Sequence, residues 1–158
     1  MSNKIGKRGE NIFSTIISRF VDPVGFMLDP TFLGDKFPSV DFYIDLLNYS
    51  QKRGFFFASV KTTTLGYNPS KTKMKITVDK EEIAELNKFQ VPVYLFGIDE
   101  KSENGYFICA NKLDNGQHLN GLPTKYPIDT QHINELWKEV ANYWDNNHEI
   151  TKFASYFN

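Results

Sequence analysis

Cysteine is almost missing from the chain: Cys109 is the single one in 158 residues. One thiol excludes an intrachain disulfide and any zinc centre built on several cysteines, and it fits a reducing compartment, so a cytoplasmic location is the expectation. Histidine is nearly as scarce. His118, His132 and His148 lack ligand-like spacing and read as loop or helix-surface residues. Long apolar runs are absent as well. No stretch approaches the roughly 20 apolar residues of a membrane helix. The basic opening "MSNKIGKRGENIF" is not followed by an apolar segment, so neither membrane insertion nor secretion is expected. Neither sign of charge dominates, with 18 Lys and Arg against 19 Asp and Glu, a net charge of −1 and a pI near 6.3. That balance excludes a broadly basic nucleic-acid coat, and any polyanion site must be a local patch. There is no internal repeat, low-complexity tract or heptad run.

What is there is a folding composition. Hydrophobic residues make up 41% and aromatic ones 15%, far from the depletion of disordered chains. The length suits one domain over 1–158. Ile12, Phe13, Ile16, Ile17 and Phe20 recur at helical spacing over 7–21, ended by "DPVG". A Pro- and Gly-punctuated loop then leads to a hairpin, "VDFYIDLLNYSQKRGFFFASVKTTT", residues 40–64. "MKITV" alternates as a third strand. "DKEEIAELNKF" reads as a helix with acids in its first turn, and "VPVYLFGI" as a strand apolar on both faces. "GYFICA" pairs with it. Residues 111–129, rich in Asn, Gly and Pro, read as a long loop. Ile133, Leu136, Trp137, Val140, Ala141 and Trp144 mark a last amphipathic helix, and the tail "TKFASYFN" suggests a final turn. The order predicts an α/β (α+β) fold: helix, three-stranded meander, helix, further strands and a C-terminal helix, with a mixed sheet flanked by helices.

The hairpin carries charges at its open end. Alternation sets Asp41, Tyr43 and Asp45 on one face of the first strand, and Phe55, Phe57, Ser59 and Lys61 on one face of the second. A turn centred between Asn48 and Arg53 predicts Asp41 opposite Lys61, their Cβ atoms roughly 5 Å apart. Asp45 lies deeper toward the turn and reads as a solvent-side residue. Charges among apolar neighbours need partners or a ligand. Glu10 shares a helical stripe with Phe13, Ile17 and Phe20, which makes it an inward glutamate at a helix start. Gly6 and Gly9 leave the adjoining backbone bare, so this helix end can approach the sheet closely. A cross-strand ion pair and a dipole-favoured N-terminal acid are the plain alternatives for these residues.

"GKRGEN", "SVDFYID" and "SVKTT" together resemble the PD-(D/E)XK nuclease superfamily, especially its Mrr-like branch. The resemblance covers a core of about 6–110, with 129–158 as a C-terminal helical extension. It implies a restriction-endonuclease-like core and a Mg²⁺ or Mn²⁺ site for cleaving nucleic-acid phosphodiesters, DNA being the expected substrate, in bacterial defence, restriction or repair. Carried over residue by residue, Asp41 is the anchoring metal ligand, Glu10 a further ligand or a water-orienting group, the Val60 carbonyl a second ligand, and Lys61 the group that orients water or stabilises developing charge. Ser59 stands where the family has Glu, Asp or Gln. A short neutral side chain there implies a lost or water-mediated ligand, so the same resemblance also accommodates a catalytically impaired nucleic-acid-binding or protein-interaction module.

Lysines gather where phosphates would need them. Lys61, Lys71, Lys73 and Lys75 occur without an intervening acid, and Lys7 and Arg8 precede Glu10. These are the expected nucleic-acid contacts; a solvated loop is the plain alternative. A homodimer or a partner subunit is compatible with a lone domain that has no evident sequence reader.

Overall fold

The structure is a computed structural model that describes residues 2–50, 53–114 and 116–146. The expected C-terminal turn, His148 and the middle of the hairpin turn lie outside the described residues. Helix α1 covers Ser2–Ile17, with Ile12, Phe13, Ile16 and Ile17 buried on one stripe. It ends four residues earlier than its periodicity predicts. The Ser18 hydroxyl donates back to the Ser14 carbonyl, and Asp22, which precedes Pro23, disfavours helical backbone. Phe20 therefore leaves the inner stripe and stands 57% exposed in a small hairpin of β1 (Phe20–Val21) and β2 (Gly25–Phe26).

The chain continues through β3 (Leu28–Phe32), β4 (Phe42–Leu46), β5 (Phe55–Thr63), β6 (Lys73–Val78), α2 (Lys80–Asn87), β7 (Val93–Asp99), β8 (Asn104–Cys109), a 3-10 turn at Ala110–Lys112, β9 (Leu119–Pro123) and α3 (Thr130–Asn146). Five strands form a mixed sheet in the order β3-β4-β5-β7-β8. All neighbours are antiparallel except β5 and β7. A parallel pair needs a long crossover, which β6 and α2 supply.

Helices flank this sheet as expected, but the meander is made of different strands. Residues 28–32, read as loop from their Pro and Gly neighbours, form the edge strand β3; Pro30 is tolerated there because an edge strand can spare a ladder N–H. β6 does not join β5. It pairs with β9, which lies within the stretch read as a long loop, to make a separate two-stranded sheet. The pattern of β6 explains this: Met74, Ile76 and Val78 are buried while Lys73, Lys75 and Thr77 face water, as in a layer packed by one face.

Two apolar cores result. Between the main sheet and α1 with α3 lie Phe13, Ile17, Ile44, Phe56, Phe96, Val140 and their neighbours. On the other face, β6, β9 and α2 enclose Met74, Ile76, Ile83, Leu86, Leu95 and Leu122. Gly97 in β7 lets the small sheet settle, since a Cβ there would lie 2.4 Å from Leu122 and 2.7 Å from Ile76. The paired indoles of α3 are half-buried and tie the helix to the hairpin: Trp137 donates to the Leu47 carbonyl and Trp144 to the Phe55 carbonyl, at 3.0 and 2.8 Å.

Candidate functional site

The first strand of the charged hairpin begins where the sheet opens. Pairing runs from Asp45 opposite Phe55 to Phe42 opposite Ala58. That register is tighter than expected, and beyond Phe42 the Asp41 N–H bonds to the Ala58 carbonyl, so Asp41 does not stand across from Lys61. Ser59 and Lys61 share one face of β5 by alternation, and Asp41 meets that strand at its edge through the Val60 N–H.

At Asp41 the ladder ends with a side chain in place of backbone. The Asp41 N–H donates to the Ala58 carbonyl at 2.8 Å, while one Asp41 carboxylate oxygen accepts the Val60 N–H at 2.6 Å. From there β5 has only β7 as a neighbour. A strand residue points its N–H and C=O to the same side, so the Val60 carbonyl faces the same open edge as Asp41. Burial pushes the Asp41 carboxyl above the ordinary aspartate range. The Val60 N–H and the Lys61 ammonium pull it down, whereas Glu82 and Asp35 push it further up. Desolvation wins this contest.

Helix α1 reaches that opening by way of Gly9. A Cβ on Gly9 would lie 1.7 Å from the Thr62 hydroxyl, so no other residue permits this crossing of α1 over β5 without displacement. Gly6, in contrast, has nothing within 4 Å, and the close approach rests on Gly9 alone of the pair. Glu10 follows at once and is half-buried. Its carboxyl is raised, first by burial and then by the charges of Asp41 and Asp35, with Lys7 acting in the opposite direction. Glu10 and Asp41 thus feel one another across the edge left by β4, although Phe20 is not part of Glu10's stripe.

Lys61 is held by a residue that sequence reasoning missed. Glu82, in the first turn of α2, forms an ion pair with the Lys61 ammonium. Acids in that turn are visible in the sequence as a dipole-favoured pair, Glu81 and Glu82; only the packing of α2 on β5 selects Glu82. Asp35, in the loop before β4, is the other missed acid. Ser59 is 1% exposed, on the strand between them.

No family model, curated protein or solved structure matches the chain. Its chemistry has to be read from the site itself. Asp41, Glu10 and Glu82 offer hard carboxylate oxygens, and Val60 a carbonyl, which suit Mg²⁺ or Mn²⁺ better than a softer ion. Among the described residues, no three His, Cys, Asp or Glu side chains gather closely enough to enclose an ion by themselves. Among the described residues there is thus no all-protein cage for an ion.

The remaining residues of interest are scattered around this centre. Arg8 is engaged by Glu100 at 2.7 Å and Glu103 at 2.8 Å, pinning the start of α1 to the turn between β7 and β8. Lys7 lines an open groove of about 620 Å³ along α1, shared with Lys4, Arg8 and Arg19. Lys71, Lys73 and Lys75 are exposed, the last two on the outer face of β6, one layer away from Lys61. Asp45 accepts a hydrogen bond from Tyr43 and is half-buried rather than open to solvent. Cys109 is half-exposed, not buried as its apolar strand suggests, because β8 is the other edge of the sheet. His132 sits beside Asp129 at the start of α3, and His118 faces Asp79; neither has a ligand-like set around it.

Proposed function

We propose that this chain is a metal-dependent nuclease of the PD-(D/E)XK type, acting on nucleic-acid phosphodiesters with DNA as the first candidate substrate. One observation carries the reading: where β4 leaves β5, the half-buried Asp41 carboxylate accepts the Val60 N–H and feels the charge of Lys61, and Glu10 in turn feels Asp41. A helix ahead of the meander β3-β4-β5 and a helix ahead of the parallel strand β7 support it too, with the β1–β2 hairpin and β6 as additions to the order helix, three strands, helix, strand.

Asp41 and Glu10 would hold the cation, with the Val60 carbonyl beside them. A bound Mg²⁺ or Mn²⁺ supplies charge stabilisation at phosphorus and a water of lowered pKa. Asp41 keeps one oxygen fixed on the Val60 N–H, which orients the other. Glu10 accepts a proton from, or orients, a nearby water. Glu82 brings from α2 a carboxylate that Ser59 cannot provide from the strand, and it fixes the Lys61 ammonium, which stabilises negative charge on the phosphate oxygens. The second reading, a binding module with a decayed site, is favoured by the burial of Ser59 and by the engagement of Lys61 with Glu82.

Cleavage of supercoiled plasmid and of single strands, with Mg²⁺ and with Mn²⁺, separates the two readings. Wild type is expected to cut, and Asp41→Asn and Lys61→Ala, purified identically, to be inactive. Ser59→Glu is expected to tighten metal binding by adding an oxygen ligand. Cleavage unaffected by Lys61→Ala would trace the activity to a contaminant, and inactivity of wild type with both metals would leave the binding module.

A further inference from the structure

The face of β5 that carries Ser59 and Lys61 continues toward the hairpin turn as a strip of aromatic rings. Tyr43 and Phe55 are stacked across β4 and β5, 4.9 Å between centroids and 25° between planes. Tyr43 and Phe57 meet at 6.2 Å, and Phe57 meets Phe37 at 5.9 Å. Phe57 is covered on one side by Phe89, just after α2, and Phe55 by Trp144 of α3 at 4.8 Å between centroids, while Tyr43 and Phe55 stay half-exposed. Phe37 is 41% exposed. Cross-strand aromatic pairs stabilise a hairpin without help, yet such pairs have no need of an uncovered sheet face.

The loop bearing Phe37 is fixed beside the carboxylates. It starts where the Leu33 N–H donates to the Asp41 carbonyl at 2.9 Å, turns through a Phe37 N–H bond to the Gly34 carbonyl, and re-enters β4 past Ser39, whose φ of 72° is left-handed. Phe37 is thereby backed by Phe57 on one side and open to water on the other, on the loop that ends at Asp41. Lys36 flanks it, and Arg53 lies close to the Tyr43 hydroxyl at the far end of the strip. Open aromatic rings with cations beside them, on a sheet face, are what unpaired nucleobases stack on.

We infer that the strip formed by Phe37, Phe57, Tyr43 and Phe55 is a stacking platform for the unpaired bases of a single-stranded nucleic acid whose backbone passes Asp41. The inference deepens the nuclease reading and rests on it. A duplex cannot offer its base faces to the strip, so single strands, or duplexes frayed at the site, are the preferred substrates.

Fluorescence anisotropy of the full chain, carrying Asp41→Asn to prevent cleavage, tests it with three probes: labelled oligothymidylate, an abasic strand of equal length, and a blunt duplex. Abasic sugars keep the phosphates and remove the stacking. The base-bearing strand is expected to bind about tenfold more tightly than the abasic one, the order of one stacked base. Phe37→Ala should erase most of that preference, Phe37→Trp should keep it, and neither should change binding of the abasic strand. Thermal melts of both variants establish that they are folded. Equal affinity of the parent for base-bearing and abasic strands, or a preference untouched by Phe37→Ala, would overturn the platform while leaving the nuclease reading to its cleavage assay. Absence of binding to all three probes would remove the nucleic-acid reading, and the platform with it.

Discussion

Asp41 serves two ends that pull against each other. Its carboxylate closes the ladder by accepting the Val60 N–H, yet burial makes the charged form costly. Asp41→Asn retains an oxygen acceptor and removes the charge, so it is expected to leave the melting temperature unchanged or higher at neutral pH while abolishing cleavage. Asp41→Ala leaves the Val60 N–H without its partner and is expected to cost about 1–3 kcal/mol in urea unfolding. The pH dependence has a definite sign. A carboxyl whose folded pKa is raised binds protons more tightly in the native state, so stability falls as pH rises from the unfolded value, about 3.9, through the folded one. The melting temperature of wild type relative to Asp41→Asn should therefore decline over that interval and stay level above it. A divalent cation held at Asp41 and Glu10, as proposed, would compete with those protons. Added Mg²⁺ or Mn²⁺ should raise the wild-type melting temperature at pH 7, have progressively less effect toward pH 4, and leave Asp41→Asn unmoved. A metal-induced rise of equal size in Asp41→Asn would place the ion elsewhere.

Elements are positioned by a few tight contacts. The passage of α1 over β5 depends on the missing side chain at Gly9, with 1.7 Å between a built Cβ and the Thr62 hydroxyl. Gly9→Ala must displace the helix or rotate Thr62, and is expected to destabilise by about 1–3 kcal/mol and to weaken metal binding by withdrawing Glu10. Gly6→Ala is the control. It meets nothing, and better helix propensity should raise stability by up to about 1 kcal/mol. Equal effects of the two substitutions, read from urea midpoints at constant slope, would refute the close approach. Both glycines look alike in the sequence; only Thr62, 53 positions beyond Gly9, tells them apart. The same limit applies to Glu81 and Glu82, neighbours in one helical turn, of which only Glu82 meets Lys61. Alternation did identify the face of β5 shared by Ser59 and Lys61, because strand periodicity is local. The register of β4 against β5 was out of reach, being set by a turn closure that alternation leaves undetermined to within two residues.

Across the whole molecule, charge is distributed more unevenly than the net value of −1 suggests. Lys73 and Lys75 form the solvent face of β6 with Lys71 in the preceding turn, while the acids Asp35, Asp41, Glu10 and Glu82 gather near the opening of the sheet. Reversal of all three lysines to glutamate is expected to weaken binding of a labelled DNA strand at least tenfold at about 50 mM salt, and to flatten the dependence of log affinity on log salt concentration by about two to three units. Unchanged affinity in the triple variant would assign phosphate binding to the α1 groove with Lys4, Lys7 and Arg19 instead. Arg8 is less available for that task, because Glu100 and Glu103 already hold it.

The sequence by itself determined what repeats at short range: the inner stripe of α1, the buried face of α3, the alternation of β4, β5 and β6, and the helix between β6 and β7. Each follows from side chains spaced at 3.6 or 2 residues, a rule that needs no distant partner. Tertiary structure decided which strands are neighbours. Leu28–Phe32 becomes an edge strand only because β4 offers it a ladder, and β6 leaves β5 for β9 because one apolar face must cover Gly97 and Leu95. The candidate site is divided in the same way. Asp41, Lys61 and Glu10 are legible as charges on otherwise apolar faces, whereas Glu82, Asp35 and the opening at Val60 exist only once segments far apart in the chain have closed on one another, since their contacts leave no trace in local periodicity.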